Sequence, residues 1–109
     1  QIQVIPHVGY LEMLALEKNA RCVLTDSGGI QKEAYLMGTP CITLREETEW
    51  VETVQSGWNV LVGADGEKIY AAYQSFHPTS ARRSIFGDYH AAEKIVTKTL
   101  AWMETYGKQ

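Results

Sequence analysis

The residues best suited to chemistry stand in one run, Thr25-Asp-Ser-Gly-Gly-Ile-Gln-Lys-Glu33, where a serine and two glycines are followed by a carboxylate. Ser27 or Asp26 alone suffices to start a helix, so the glycine pair needs a further reason. The free amides at a helix N-terminus, reinforced by the helix dipole, hold anions, and a glycine lets an anion approach the backbone with no Cβ in the way. Ser27, Gly28 and Gly29 are therefore candidates to hold phosphate. Glu33 falls on the face of Gly29, one turn further along. A carboxylate there repels phosphate but accepts hydrogen bonds from ribose hydroxyls, as acidic residues do in Rossmann sites. The set suggests a nucleoside diphosphate. The competing reading is a tight strand-to-helix turn with Ser27 as cap and Glu33 solvated, and spacing alone does not separate the two. The run matches neither G-x-G-x-x-G nor G-x-x-x-x-G-K-[ST].

Arg45 follows an apolar segment and could offer its fork of donors to a phosphate or carboxylate. Glu46, Glu47 and Glu49 beside it offer the alternative of a solvated surface pair. His7, His77 and His90 have no ligand spacing and no nucleophile partner, so no metal site or catalytic role is assigned to them. Trp50 and Trp58 read as packing residues.

The elements that must position these residues follow from the apolar pattern. Ile2 to Ile5, Cys22 to Leu24, Cys41 to Leu44 and Trp58 to Val62 are short, nearly all-apolar strand candidates. Between and after them the spacing predicts helices over Tyr10 to Ala20, from the glycine pair to Met37, over Thr48 to Gln55 with Thr48 as N-cap, and from Asp65 or Gly66 to Phe76. A last helix from about Asp88 to Tyr106 carries Ala92, Ile95, Val96, Thr99, Met103 and Tyr106 along one stripe. Apolar strands alternating with helices predict an α/β fold: a Rossmann-like three-layer α/β/α arrangement with a mostly parallel sheet of about four strands. Ligands gather at the carboxyl ends of such strands, which is where Thr25 to Gly29 and Arg45 lie.

The bulk properties narrow the function. The 109 residues suit one domain. A net charge of −3 without a Lys/Arg block argues against a surface for nucleic acid or anionic lipid. No apolar run approaches the roughly 18 residues that a membrane span needs. Cys22 and Cys41 sit in apolar runs and read as core thiols in a reducing, cytoplasmic compartment. The chain begins at Gln1 in what reads as a strand, which suggests a piece of a longer protein.

The run Thr25 to Ala34, followed by Gly38-Thr-Pro40, Leu44-Arg45, Thr48-Glu49 and Leu61-Val-Gly63, resembles the non-hydrolysing UDP-N-acetylglucosamine 2-epimerases. The resemblance extends to Gly87-Asp88, nearly all of this chain, but covers only the later part of the family. It implies a two-Rossmann-domain architecture of the glycosyltransferase-B type with the active site between the domains. Residues 1–109 would then be most of the C-terminal UDP-binding domain, lacking its N-terminal partner domain. The implied reaction interconverts UDP-GlcNAc and UDP-ManNAc, supplying units for surface polysaccharides, by eliminating UDP and adding it back with C2 inverted, without cofactor or metal. The resemblance assigns the UDP diphosphate to Ser27, Gly28 and Gly29, the ribose to Glu33, and Arg45 to the same UDP-binding set.

The acids, histidine and arginine that the family uses around the sugar belong upstream of Gln1. No catalytic residue is therefore expected here, and the segment alone should bind UDP without turning it over. The family is commonly dimeric, so a homodimer is a further expectation. Many members read Thr-Glu-Arg-Pro-Glu where this chain has Thr48-Glu49-Trp50-Val51-Glu52, an indole replacing a cation. Two other readings are a related nucleotide-sugar glycosyltransferase and a non-catalytic α/β binding module.

Overall fold

The computed structural model describes residues 3–82 together with 97, 98 and 101. Helix α1 (Tyr10–Asn19) leads into β1 (Val23–Thr25), α2 (Gly28–Met37), β2 (Cys41–Thr43), α3 (Val51–Gln55), β3 (Asn59–Leu61) and α4 (Gly66–Ser75). The strands run parallel in the order β1-β2-β3, with Thr25 beside Thr43 and Thr43 beside Leu61. Parallel neighbours joined through a helix are βαβ units, so all three carboxyl ends emerge on one side of the sheet.

Successive strand residues point to opposite faces, so a strand buried at every position is covered on both sides. β2 meets this test: Cys41, Ile42 and Thr43 are all buried. Helix α2 lies against β1 and β2, α3 against β3, and α4 against β2. The other face of α2 meets α1, where Leu14, Ala15 and Met37 form a core cluster with Leu36 beside it. Burying side chains of this size stabilises the fold by about 1.5–3 kcal/mol each.

The helix ends follow from their sequences. The Ser27 Oγ accepts from the Ile30 amide at 3.3 Å and caps α2; such a cap contributes about 1 kcal/mol. Gly38 ends α2 in the left-handed region, φ +73°, where its amide reaches back to Ala34 and Tyr35. The Arg82 guanidinium, far along the chain, donates to the Tyr35 and Leu36 carbonyls at 3.1 and 2.6 Å and covers that end. Asp65 caps α4 by accepting from the Glu67 and Lys68 amides.

The fourth strand expected at Ile2 to Ile5 does not form among the described residues: 3–5 are irregular, Val4 is 94% exposed, and the sheet has three strands. An apolar tetrapeptide becomes a strand only when an edge offers it a hydrogen-bonding ladder, and this one is not docked on β1. Helix α3 starts at Val51 rather than at Thr48, because the Thr48 hydroxyl serves a turn instead, accepting from the Trp50 amide at 3.0 Å. The helix expected from Asp88 to Tyr106 lies outside the described residues, except for helical Thr97, Lys98 and Ala101.

Candidate anion and nucleotide site

Helix α2 points its N-terminus out of the carboxyl end of β1. The Ser27 amide turns back to the Thr25 hydroxyl at 3.0 Å, and the Ser27 hydroxyl is taken by the cap. The Gly28 and Gly29 amides find no acceptor among the described residues. Two amides at the positive end of a ten-residue helix thus remain available to an anion.

An acidic side chain already lies there. A Cβ built on Gly28 would run into the Glu49 carboxylate, whereas one on Gly29 meets nothing closer than the Ser27 Oγ at 3.9 Å. Neither glycine has a positive φ. Gly28 is therefore not required by backbone conformation; the room left by its missing Cβ is filled by the end of the exposed, flexible Glu49 side chain. Arg45 donates to the same Glu49 carboxylate at 3.3 Å from just beyond β2, and both side chains are well exposed. Of the expected site residues, Gly28 and Arg45 thus meet at one carboxylate, and Ser27 and Gly29 flank Gly28 in the same helix N-terminus.

Glu33 stands apart from that group. Its carboxyl group faces α1, where its negative field acts on Tyr10 and Glu17. Glu17 is 3% exposed. Burial first, and then the Glu33 carboxyl group across from it, push its pKa up to about 8. The Tyr10 hydroxyl is pushed up by partial burial, then by the charges of Glu33 and Glu17.

The loop carrying Arg45 and Glu49 is held by residues that sequence reading left out. The Trp50 indole donates to the Gly28 carbonyl at 2.7 Å, so the residue read as packing pins the glycine itself. Lys32 lies over the indole ring, 5.5 Å from its centre. Thr48 donates to the Gln31 Oε1 at 2.5 Å, and Asn59 donates to the same atom at 3.1 Å. Asn59 also accepts from Thr43 at 2.6 Å and donates to Thr53 at 3.0 Å. This buried network ties α2, the loop and the ends of β2 and β3 together. The signal for it was an asparagine inside an otherwise apolar strand, since buried polar groups demand partners.

Cys22 and Cys41 are free thiols. Burial above all pushes the Cys41 thiol up to about 11, which keeps it protonated and inert. Among the described residues no three His, Cys, Asp or Glu side chains converge as a metal site would require, and no helix is long and apolar enough to cross a membrane.

A parallel sheet flanked by helices, with an open helix N-terminus at its carboxyl edge, defines the class of Rossmann-like α/β folds. The chain belongs to the UDP-N-acetylglucosamine 2-epimerase family, whose model matches residues 1–100. It is 53% identical over 96 residues to a UDP-N-acetylglucosamine 2-epimerase homolog of Methanococcus maripaludis, covering 87% of this chain and 27% of that protein. It is 58% identical over 69 residues to the UDP-2,3-diacetamido-2,3-dideoxy-D-glucuronate 2-epimerase of Pseudomonas aeruginosa, covering 63% of this chain and 20% of that protein.

Among solved structures it is similar to the UDP-GlcNAc 2-epimerase of Methanocaldococcus jannaschii in complex with UDP-GlcNAc and UDP. The identity is 46% and the TM-score 0.69, over 89% of this chain and 27% of that one. The chain thus spans little more than a quarter of the relatives it matches along most of its own length.

Proposed function

We propose that residues 1–109 are the UDP-binding part of the C-terminal Rossmann-like domain of a UDP-N-acetylglucosamine 2-epimerase, an isomerase that eliminates UDP and adds it back with C2 inverted. One observation carries the reading: two amides at the start of α2 without an acceptor among the described residues, in a cradle where Gly28 leaves room for an acidic group and Arg45 reaches that group. The diphosphate would take the place of the Glu49 carboxylate, bound by the Gly28 and Gly29 amides and by Arg45. Ser27 would shape the turn, and Glu33 would accept from the ribose hydroxyls. The groups that act on the sugar belong to the partner domain across the cleft. The setting is the cytoplasm and the product serves polysaccharide synthesis.

The test is an NMR titration with UDP: the Ser27 to Ile30 amides should shift at millimolar nucleotide or below, and unmoved resonances there would remove the site. A second reading of the sugar is favoured by the 58% identity over 69 residues to the diacetamido-glucuronate enzyme. Turnover of both UDP-sugars by the full-length protein discriminates the two.

A further inference from the structure

Glu17 is a buried carboxyl group that the nucleotide site does not use. It is 3% exposed, and neither of its side-chain oxygens has a hydrogen-bond donor among the described residues. It borders an apolar cleft of about 290 Å³ with Met13, Leu16, Cys22 and Ile30. What faces it across the α1–α2 contact is another acceptor, the carboxyl group of Glu33. Two acceptors in contact repel unless one of them carries a proton, and then they form a strong charge-assisted hydrogen bond. The other ionisable groups around Glu17 do not relieve this. Tyr10 from its own helix and Cys41 from β2 are acidic groups that its charge pushes upward, and Cys22 lies beside Cys41.

We infer that Glu17 is a positioning residue for the nucleotide: it carries a proton that it donates to the Glu33 carboxylate, fixing that carboxylate so that its remaining lone pairs meet the ribose hydroxyls. This rests on the reading of Glu33 as the ribose acceptor. The proton stays between the two carboxyl groups, and no bond to the ligand is made or broken. When the pH rises far enough to remove it, two like charges face each other in an apolar setting and Glu33 is driven from its place. UDP binding should then weaken in alkaline solution, while an anion that makes no ribose contact should follow only its own ionisation, alike in wild type and Glu17→Gln.

The experiment measures the affinity of UDP and of inorganic pyrophosphate for the full-length protein by calorimetry between pH 7 and 9. The phosphates of UDP are already ionised there, their last pKa being about 6. With the Glu17 pKa near 8, the protonated fraction falls about tenfold over this range, and the UDP affinity should fall about tenfold with it. Glu17→Gln keeps a donor that cannot ionise. It should bind UDP within about threefold of wild type at pH 7 and lose most of the pH dependence; the comparison cancels titrations elsewhere in the protein. Glu17→Leu should lose about tenfold in UDP affinity at pH 7 with pyrophosphate unaffected.

A wild type that is flat with pH, a Glu17→Gln that keeps the full fall, or a Glu17→Leu that binds UDP normally at pH 7 would each overturn the inference. Glu33→Ala separates it from the reading beneath it. If that variant weakens UDP no more than pyrophosphate, the ribose assignment fails; if it weakens UDP alone while the Glu17 variants do not, only the role of Glu17 fails. Thermal melting adds a second readout. A folded-state pKa raised from 4.5 to about 8 means wild-type stability is lost as pH rises between those values and is level above them. The advantage of Glu17→Gln over wild type should grow across the same interval.

Discussion

The two ends of helix α2 both carry glycine, and only one of them is held to it by its backbone. At the C-terminus Gly38 is fixed by its backbone: φ is +73°, the helix closes on it, and Arg82 covers the last carbonyls. At the N-terminus Gly28 has no such φ, and the space where a Cβ would stand is taken only by the end of the exposed, flexible Glu49 side chain. One end is closed by the protein's own donors. The other keeps two amides without an acceptor among the described residues. A glycine demanded by φ serves folding, while one that φ does not demand, beside donors without an acceptor among the described residues, is where a ligand would give glycine its reason.

That contrast can be broken most directly at Gly28. Gly28→Val should cost UDP affinity more than about tenfold, about 1.4 kcal/mol, while leaving thermal stability near wild type, as measured by calorimetry and melting on the same preparation. A loss of stability without a loss of affinity would make both ends of α2 structural. Gly38→Ala should show the reverse pattern: a stability loss of about 1–2 kcal/mol from the left-handed backbone, read by denaturant unfolding, with UDP affinity unchanged. The smallest effect sharpens the comparison. Glu49→Gln removes the negative charge that an incoming diphosphate must displace, so pyrophosphate should bind about threefold more tightly, within what an exposed pair is worth.

Much of the fold was legible in the sequence because its determinants are local. Helix α4 opens at Gly66, one of the two positions the sequence offered; Ser27, one of two candidates, caps α2; and Gly38 ends α2 ahead of Pro40. Apolar runs of three or four residues between helical patterns specify buried parallel strands, and β1, β2 and β3 lie in those runs. The misses are where a segment's state depends on a partner. Ile2 to Ile5 has strand composition, but composition cannot supply an edge to pair with. Thr48 has capping chemistry, but its hydroxyl is drawn to Gln31 and to the Trp50 amide.

The candidate site divides in the same way. The sequence by itself determined the Ser27-Gly28-Gly29 turn, its helix and the carboxylate one turn on, because these depend only on backbone geometry along a single segment. It also placed Arg45 at the carboxyl end of a strand. Only the tertiary structure decided that the Trp50 indole grips the Gly28 carbonyl, that Glu49 lies over the glycine, and that the Glu33 carboxyl group acts on the buried Glu17. Those juxtapositions join residues sixteen or more positions apart. They arise from how α1 packs on α2 and how the loop beyond β2 is tied to Gln31 and Asn59, and no local propensity encodes them.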